Sequence, residues 1–125
     1  MHAAALRTAL SAIALLAAAC VPPRERVVAL SSDGQTRVTL ELRPAGIDSV
    51  LGSGTLQMAG RPHSVVVAGR WNDVGDGIRS LEATLQSDTT PRERWAIEWS
   101  TGTLDGSIRH TGDAGVSDAV AIKMP

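Results

Sequence analysis

Residues 37–43 read RVTLELR, and their side chains alternate strictly between polar and apolar. Val38, Leu40 and Leu42 share one face of an extended chain, because successive side chains of a β-strand point to opposite sides. The intervening polar residues share the other face. Such alternation is typical of a strand with one buried and one solvated face, so it predicts a β-strand here.

The same period of two continues along the chain after residue 26. It recurs in further segments at residues 55–58, 64–71, 78–86, 94–100 and 119–124. Two shorter candidates lie at residues 27–30 and 107–110. No stretch in this part shows the period of an amphipathic helix, which is about 3.6 residues. The sequence therefore predicts seven or eight short strands.

Turn-forming residues separate these segments. Gly, Asn or Asp, which favour chain reversal, occur at residues 33–34, 60–62, 72–77, 105–106 and 112–115. Asp105-Gly106 gives the clearest signal for a two-residue hairpin. Strands joined by hairpins form an antiparallel meander, so the predicted fold class is all-β.

A small barrel and a two-layer sandwich both suit an antiparallel meander of seven to eight strands. We prefer the β-barrel, because an even number of strands lets the first pair with the last and leaves no exposed edge. A closed barrel of eight strands has about the size of lipocalins and streptavidin, and it holds either side chains or one small ligand.

The composition is that of one folded domain, and it argues against a nucleic-acid partner. The chain has 125 residues, of which 43% are hydrophobic and 20% charged, the balance of a folded protein. The formal net charge is −1, whereas a nucleic-acid binder would carry a basic surplus. The chain has no Tyr, no Phe and only 3 Trp, so few aromatic side chains are available to stack on nucleic-acid bases. We therefore exclude nucleic acid as a partner.

The start of the chain has the pattern of an export signal. Arg7 is followed by an uncharged apolar run at residues 8–19. In helical form this run would span about 18 Å, against about 30 Å for the hydrocarbon core of a bilayer, so it is too short for a comfortable membrane span. A basic start, a short apolar middle and small residues at the end predict a signal peptide at residues 1–19.

The signal ends in Ala17-Ala18-Ala19-Cys20, which contains the only cysteine of the chain. This segment resembles the lipobox of bacterial lipoprotein precursors. The resemblance implies that Cys20 carries a diacylglyceryl group and that the chain is cut just before it. The family prefers Leu where this chain has Ala17, and Ala17 and Ala19 also satisfy ordinary signal peptidase, which would leave Cys20 as a free thiol. The resemblance covers the leader and Cys20 only, and no family is recognised for the mature domain.

The resemblance also implies a location and a domain order. Val21 follows Cys20 where Asp would retain such a protein in the inner membrane, so the resemblance implies the outer membrane, facing the periplasm, if the source has one. Residues 20–26 are predicted to be the lipidated cysteine and a short spacer that contains two prolines. A single β domain is predicted at residues 27–125.

The three tryptophans, Trp71, Trp95 and Trp99, are the candidate residues for contact with a ligand or partner. Trp95 and Trp99 share a face with Ile97 in the predicted strand at residues 94–100. On the inside of a barrel they would form an aromatic wall for an apolar ligand, and on the outside they would form a contact patch. The alternative is that they fill the core, because Trp buries a large surface.

No metal site, cofactor or catalytic residue is predicted. Residues 72–77 superficially resemble a calcium-binding loop, but two EF-hand ligand positions fall on Val74 and Ala83, which have no side-chain oxygen. His63 and His110 are isolated from other metal-ligating residues in the sequence, so we interpret them as polar residues at strand ends. The sequence contains no nucleophile elbow, phosphate loop or dinucleotide fingerprint.

These features favour a non-enzymatic, membrane-anchored lipoprotein of the bacterial envelope that binds an envelope protein or a small apolar molecule. Two alternatives are an inhibitor of a lysozyme-type hydrolase and a soluble, secreted binder of a small ligand. Some lysozyme-inhibitor lipoproteins have this size and build, but the chain lacks their cysteine pair and tyrosine-rich motif. A further hypothesis, a hydrolase that uses His63 or His110, has no supporting motif.

Overall fold

The computed structural model describes residues 24–90, 92–112, 115–116 and 118–125. The predicted signal peptide, the lipobox-like segment with Cys20 and the spacer residues 21–23 lie outside the described residues. Regular structure in the described part of the chain consists of β-strands.

Strands follow one another along the described ranges with short connections. They are β1 (Glu25–Leu30), β2 (Thr36–Pro44), β3 (Ser49–Met58), β4 (Arg61–Gly75), β5 (Ile78–Ser87), β6 (Arg94–Ser100), β7 (Asp105–Gly112), β8 (Gly115–Val116) and β9 (Val120–Lys123). β1 begins at Glu25, two residues before the predicted start of the domain at Val27. The strand begins earlier than predicted because Glu25 pairs with Leu42 of β2 and Arg26 pairs with Glu41.

All of these strands except β8 close into one antiparallel barrel. Each strand from β1 to β7 pairs with the next, and β9 joins the two edges of the sheet by pairing with β7 and with β1. Lys123 of β9 lies opposite Leu30 of β1 on one side and opposite Asp105 of β7 on the other. The short strand β8 pairs with the end of β7. The predicted barrel of eight strands is confirmed, and the alternative of a sandwich is excluded.

The barrel has two ends, and we name each after a residue that lies there. The Trp71 end carries the β2–β3, β4–β5 and β6–β7 connections, and the chain enters β1 there at Glu25. The His63 end carries the β1–β2, β3–β4 and β5–β6 connections. Alternate connections lie at opposite ends because neighbouring strands are antiparallel.

Side chains fill the interior of the barrel. All eight barrel strands contribute to one apolar core, in which no residue is more than 8% exposed. Val38, Leu40 and Leu42, whose alternation predicts a strand in the sequence, are at most 1% exposed. The buried face of β2 is therefore the face that the pattern predicts.

Glycines at inward positions let neighbouring strands approach closely. A Cβ added to Gly54 of β3 would overlap the carbonyl oxygen of Thr39 on β2. Gly106 of β7 lies opposite Trp99 of β6, and a Cβ there would overlap the carbonyl oxygen of Glu98. Glycine inside a strand often marks a bend or a close approach of two backbones, and a small barrel needs both to close.

The tryptophans supply large side chains beside these small ones. Trp71, Leu81, Trp99 and Gly106 are register partners on four successive strands, so this level of the interior alternates in side-chain size. Trp95 lies near the start of β6, at the His63 end. Alternation of small and large inward residues is the usual way in which a small barrel fills its centre.

Two tight turns use the left-handed region of the backbone. Both central residues of Ala59-Gly60 and of Asp76-Gly77 have positive φ, as two-residue type I′ hairpins require. The hairpin predicted at Asp105-Gly106 is wrong, because both residues lie in β7 and the chain reverses at residues 101–104. Glycine stands at position 106 because the backbone of Glu98 leaves no room for a Cβ.

Gly54→Ala is expected to lower the free energy of unfolding by about 1–3 kcal/mol, because the added methyl group forces β2 and β3 apart. Urea denaturation of the purified protein measures this change. Gly46→Ala is the matched control, since a Cβ there meets the Ser49 Cβ at 3.6 Å, which is an ordinary contact. Equal stability of the two variants would contradict close strand packing at Gly54.

Candidate functional site

A cavity of about 240 Å³ opens at the Trp71 end of the barrel. Apolar side chains line part of it, namely Leu42, Pro44, Ile47, Val50 and Trp71. Charged side chains line the remainder, among them Glu25, Asp48, Asp73 and Arg79. An apolar cavity with a few oriented polar groups has the usual build of a site for a small molecule or a single side chain.

Trp71 lies near the end of β4 and belongs to both the core and the cavity. Its backbone N–H donates a hydrogen bond of 2.8 Å to the carbonyl oxygen of Asp48, which ties the β2–β3 loop to β4. The residue is 8% exposed, the highest value in the core. Trp71 therefore packs inside the barrel, and one part of it also lines the cavity.

Arg79 of β5 links two sides of the cavity. Its guanidinium carbon lies 4.4 Å from the centroid of the Trp71 ring, which is cation–π geometry. Its Nη2 donates a hydrogen bond of 2.8 Å to Oε2 of Glu25 on β1. The side chains of this ion pair are 40% and 34% exposed, so water weakens their attraction. The pair lies at the point where the chain enters the barrel, which the pairing of Glu25 with Leu42 of β2 also holds in place.

Several charged groups around the cavity are already engaged with protein atoms. Arg79 and Glu25 bind each other, and Oδ1 of Asp73 accepts a hydrogen bond of 2.9 Å from the N–H of Gly75. A border of paired polar groups around an aromatic edge suits recognition of an apolar group.

Trp95 and Trp99 share the inward face of β6 with Ile97, as the sequence predicts. They are 2% and 5% exposed, so they do not form a contact patch on the outside of the barrel. Trp99 belongs to the core and does not line the cavity at the Trp71 end. Trp95 also borders a second cavity, of about 210 Å³, at the His63 end.

The structure brings together two histidines that are isolated in the sequence. The rings of His63 and His110 lie against Trp95, with ring centroids 4.9 and 5.7 Å from that of Trp95. Glu93 lies beside both, with Oε2 3.7 Å from His63 Nδ1 and Oε1 4.0 Å from His110 Nε2. His63 and His110 lie near the ends of β4 and β7, and the fold brings them into one partly buried cluster that their spacing in the sequence does not show.

Nothing in the described ranges forms a metal site from three or more His, Cys, Asp or Glu side chains. Residues 72–77, which resemble a calcium-binding loop in the sequence, form the end of β4 and the turn into β5. The register shifts between Asp73 and Gly75, as in a β-bulge. This segment is therefore a bulged hairpin, in which Asp73 accepts a hydrogen bond from the N–H of Gly75 and Asp76 lies in the turn.

Sequence patterns do not predict a role in the site for Arg79, Glu25 or Ile47. Arg79 and Glu25 are 54 residues apart and meet only because the sheet closes, so no local pattern predicts their contact. Ile47 carries a weak signal, since it is a large apolar residue inside a turn-like segment, PAGIDS at residues 44–49. An apolar side chain between turn residues indicates a loop tip that is available for contact.

No helix in the described ranges has the length and apolar character needed to cross a membrane. Comparison of the chain with protein-family models, with curated proteins and with solved structures finds no match.

Proposed function

We propose that the chain is an exported lipoprotein of the bacterial envelope, anchored by a lipid on Cys20, that binds a partner without catalysis. The sequence supports the anchor, because the one cysteine of the chain ends an uncharged apolar run that follows Arg7. A diacylated cysteine at this position would hold a soluble domain stably at a membrane. By its resemblance to the family, the location is the outer membrane, facing the periplasm, where the source has one.

The cavity at the Trp71 end is the observation that carries the binding role. The interior of the barrel is filled, so a partner is received at the surface of the barrel rather than enclosed in its centre. The cavity has room for a small apolar molecule or for an apolar side chain of an envelope protein. Trp71 supplies an aromatic edge, and the ion pair of Arg79 and Glu25 supplies a polar border.

The alternatives differ from this proposal at identifiable points. A soluble, secreted binder would have the same cavity but a free thiol at Cys20, because ordinary signal peptidase cuts without lipidation. An inhibitor of a lysozyme-type hydrolase stays a prediction, and no described residue is assigned to that role.

We expect the mature protein from the membrane fraction to begin at Cys20 and to carry the added mass of a diacylglyceryl group. Intact-mass spectrometry measures both properties. Cys20→Ala is the matched control and is expected in the soluble fraction, because it has no thiol to alkylate and keeps Ala17 and Ala19 for ordinary signal peptidase. An unmodified natural chain in the soluble fraction would contradict the anchor and favour the secreted binder.

Addition of 1-hexanol is expected to shift the tryptophan emission, because an alcohol bound in the cavity contacts Trp71. We expect Trp71→Phe to lose this shift and Trp99→Phe to keep it, since Trp99 does not line the cavity. Fluorescence titration measures the shift, and urea denaturation shows that both variants are folded. A shift of natural size in Trp71→Phe would contradict binding at this cavity.

A further inference from the structure

The exposed apolar side chains of the barrel are unevenly distributed. Large hydrophobic side chains of the described residues that are exposed are Ile47, Leu51, Val66, Val74, Leu104 and Met124. Leu51 and Val66 lie on the outer wall, on β3 and β4. The other four lie at the Trp71 end, and none lies at the His63 end. Single exposed hydrophobic residues are ordinary, whereas a group at one end of a domain marks an interaction surface.

The four exposed hydrophobic residues at the Trp71 end come from separate segments of the chain. Ile47 lies in the β2–β3 loop and is 102% exposed, so its side chain contacts almost nothing. Val74 lies in the bulge at the end of β4 and is 62% exposed. Leu104 ends the β6–β7 connection, and the N–H of Met124 donates a hydrogen bond of 2.9 Å to its carbonyl oxygen. We call Ile47, Val74, Leu104 and Met124 the apolar tips.

The N-terminal attachment of the barrel lies at this same end. Arg79 holds Glu25, the first residue of β1, beside the cavity at the Trp71 end. Four residues lie between Cys20 and Glu25, and an extended chain reaches at most about 18 Å over the five residue steps from one to the other. A lipid on Cys20 would therefore attach the barrel to the membrane at the Trp71 end, where the tether joins β1.

We propose that the Trp71 end docks on the lipid surface, with the apolar tips placed in the interface between headgroups and acyl chains. This proposal rests on the proposed lipid anchor at Cys20. The partner is the membrane that holds the anchor, because the tether joins the barrel at this end and the apolar tips lie at the same end. An apolar ligand then reaches the cavity beside Trp71 from the lipid phase.

Charge at the Trp71 end indicates which lipids are needed. Asp48, Asp73, Asp76 and Asp105 lie at this end together with Arg24, Arg43 and Lys123, and Glu25 pairs with Arg79, so the end has no basic surplus. Anionic lipids attract basic clusters, and burial of apolar side chains does not depend on headgroup charge. The docking therefore works on a neutral phosphatidylcholine surface.

The test places a new tryptophan on one apolar tip or on the outer wall. Full-length, processed Ile47→Trp is reconstituted in phosphatidylcholine vesicles with and without bromine on the acyl chains, since bromine quenches nearby indole emission. Val66→Trp is the matched control, because Val66 is 50% exposed on the wall of the barrel. The emission that Ile47→Trp adds to the natural protein is expected to shift to shorter wavelength and to lose most of its intensity in brominated vesicles. The emission that Val66→Trp adds is expected to stay unquenched.

Each other outcome overturns the docking. Equal quenching of the two variants would mean that the barrel lies on its side. A chain that sediments with the vesicles while Ile47→Trp stays unquenched would mean that the end stands away from the lipid or is covered by protein, and the anchor would survive this result. A chain that does not sediment with the vesicles would remove the anchor and the docking together.

Discussion

The structure depends on the packing inside the barrel. Eight short strands close into a barrel only if the side chains that point inward fill the interior along its whole length without overlap. Gly54 and Gly106 bring neighbouring strands so close that a Cβ would overlap a carbonyl oxygen. Trp71, Trp95 and Trp99 are the large side chains of the same interior. Close packing makes such a core sensitive to a single methyl group. The barrel is therefore a filled scaffold, and its ends and outer wall remain for binding.

The two ends of this scaffold differ in their chemistry. At the Trp71 end, a cavity with an aromatic edge, an ion pair and the apolar tips surround the place where the chain enters β1. At the His63 end, His63, His110 and Glu93 surround Trp95, and the β1–β2 connection is the polar sequence SSDGQ at residues 31–35. This polarity fits the proposed arrangement, in which one end meets a membrane and the other faces the aqueous phase.

Local sequence patterns predict those features of the structure that depend only on residues close together in the sequence. Side-chain alternation is enough to find the strands and the shared inward face of Trp95 and Trp99, because it depends only on the pleat of each strand. The turn signal at Asp105-Gly106 misleads, because glycine also serves close packing and only the neighbouring strand decides which role applies. The contact of Arg79 with Glu25 is not predictable from spacing, because it arises from the closure of the sheet.

The filled interior and the two distinct ends of the barrel both follow from its closure between β1 and β9. The most direct measurement is the set of nuclear Overhauser contacts between backbone protons across this seam in the folded protein. The structure requires contacts between Leu30 and Lys123 and between Ile108 and Val120. Contacts of Ile108 with Val120 but none between Leu30 and Lys123 would show an open sheet and contradict closure of the barrel.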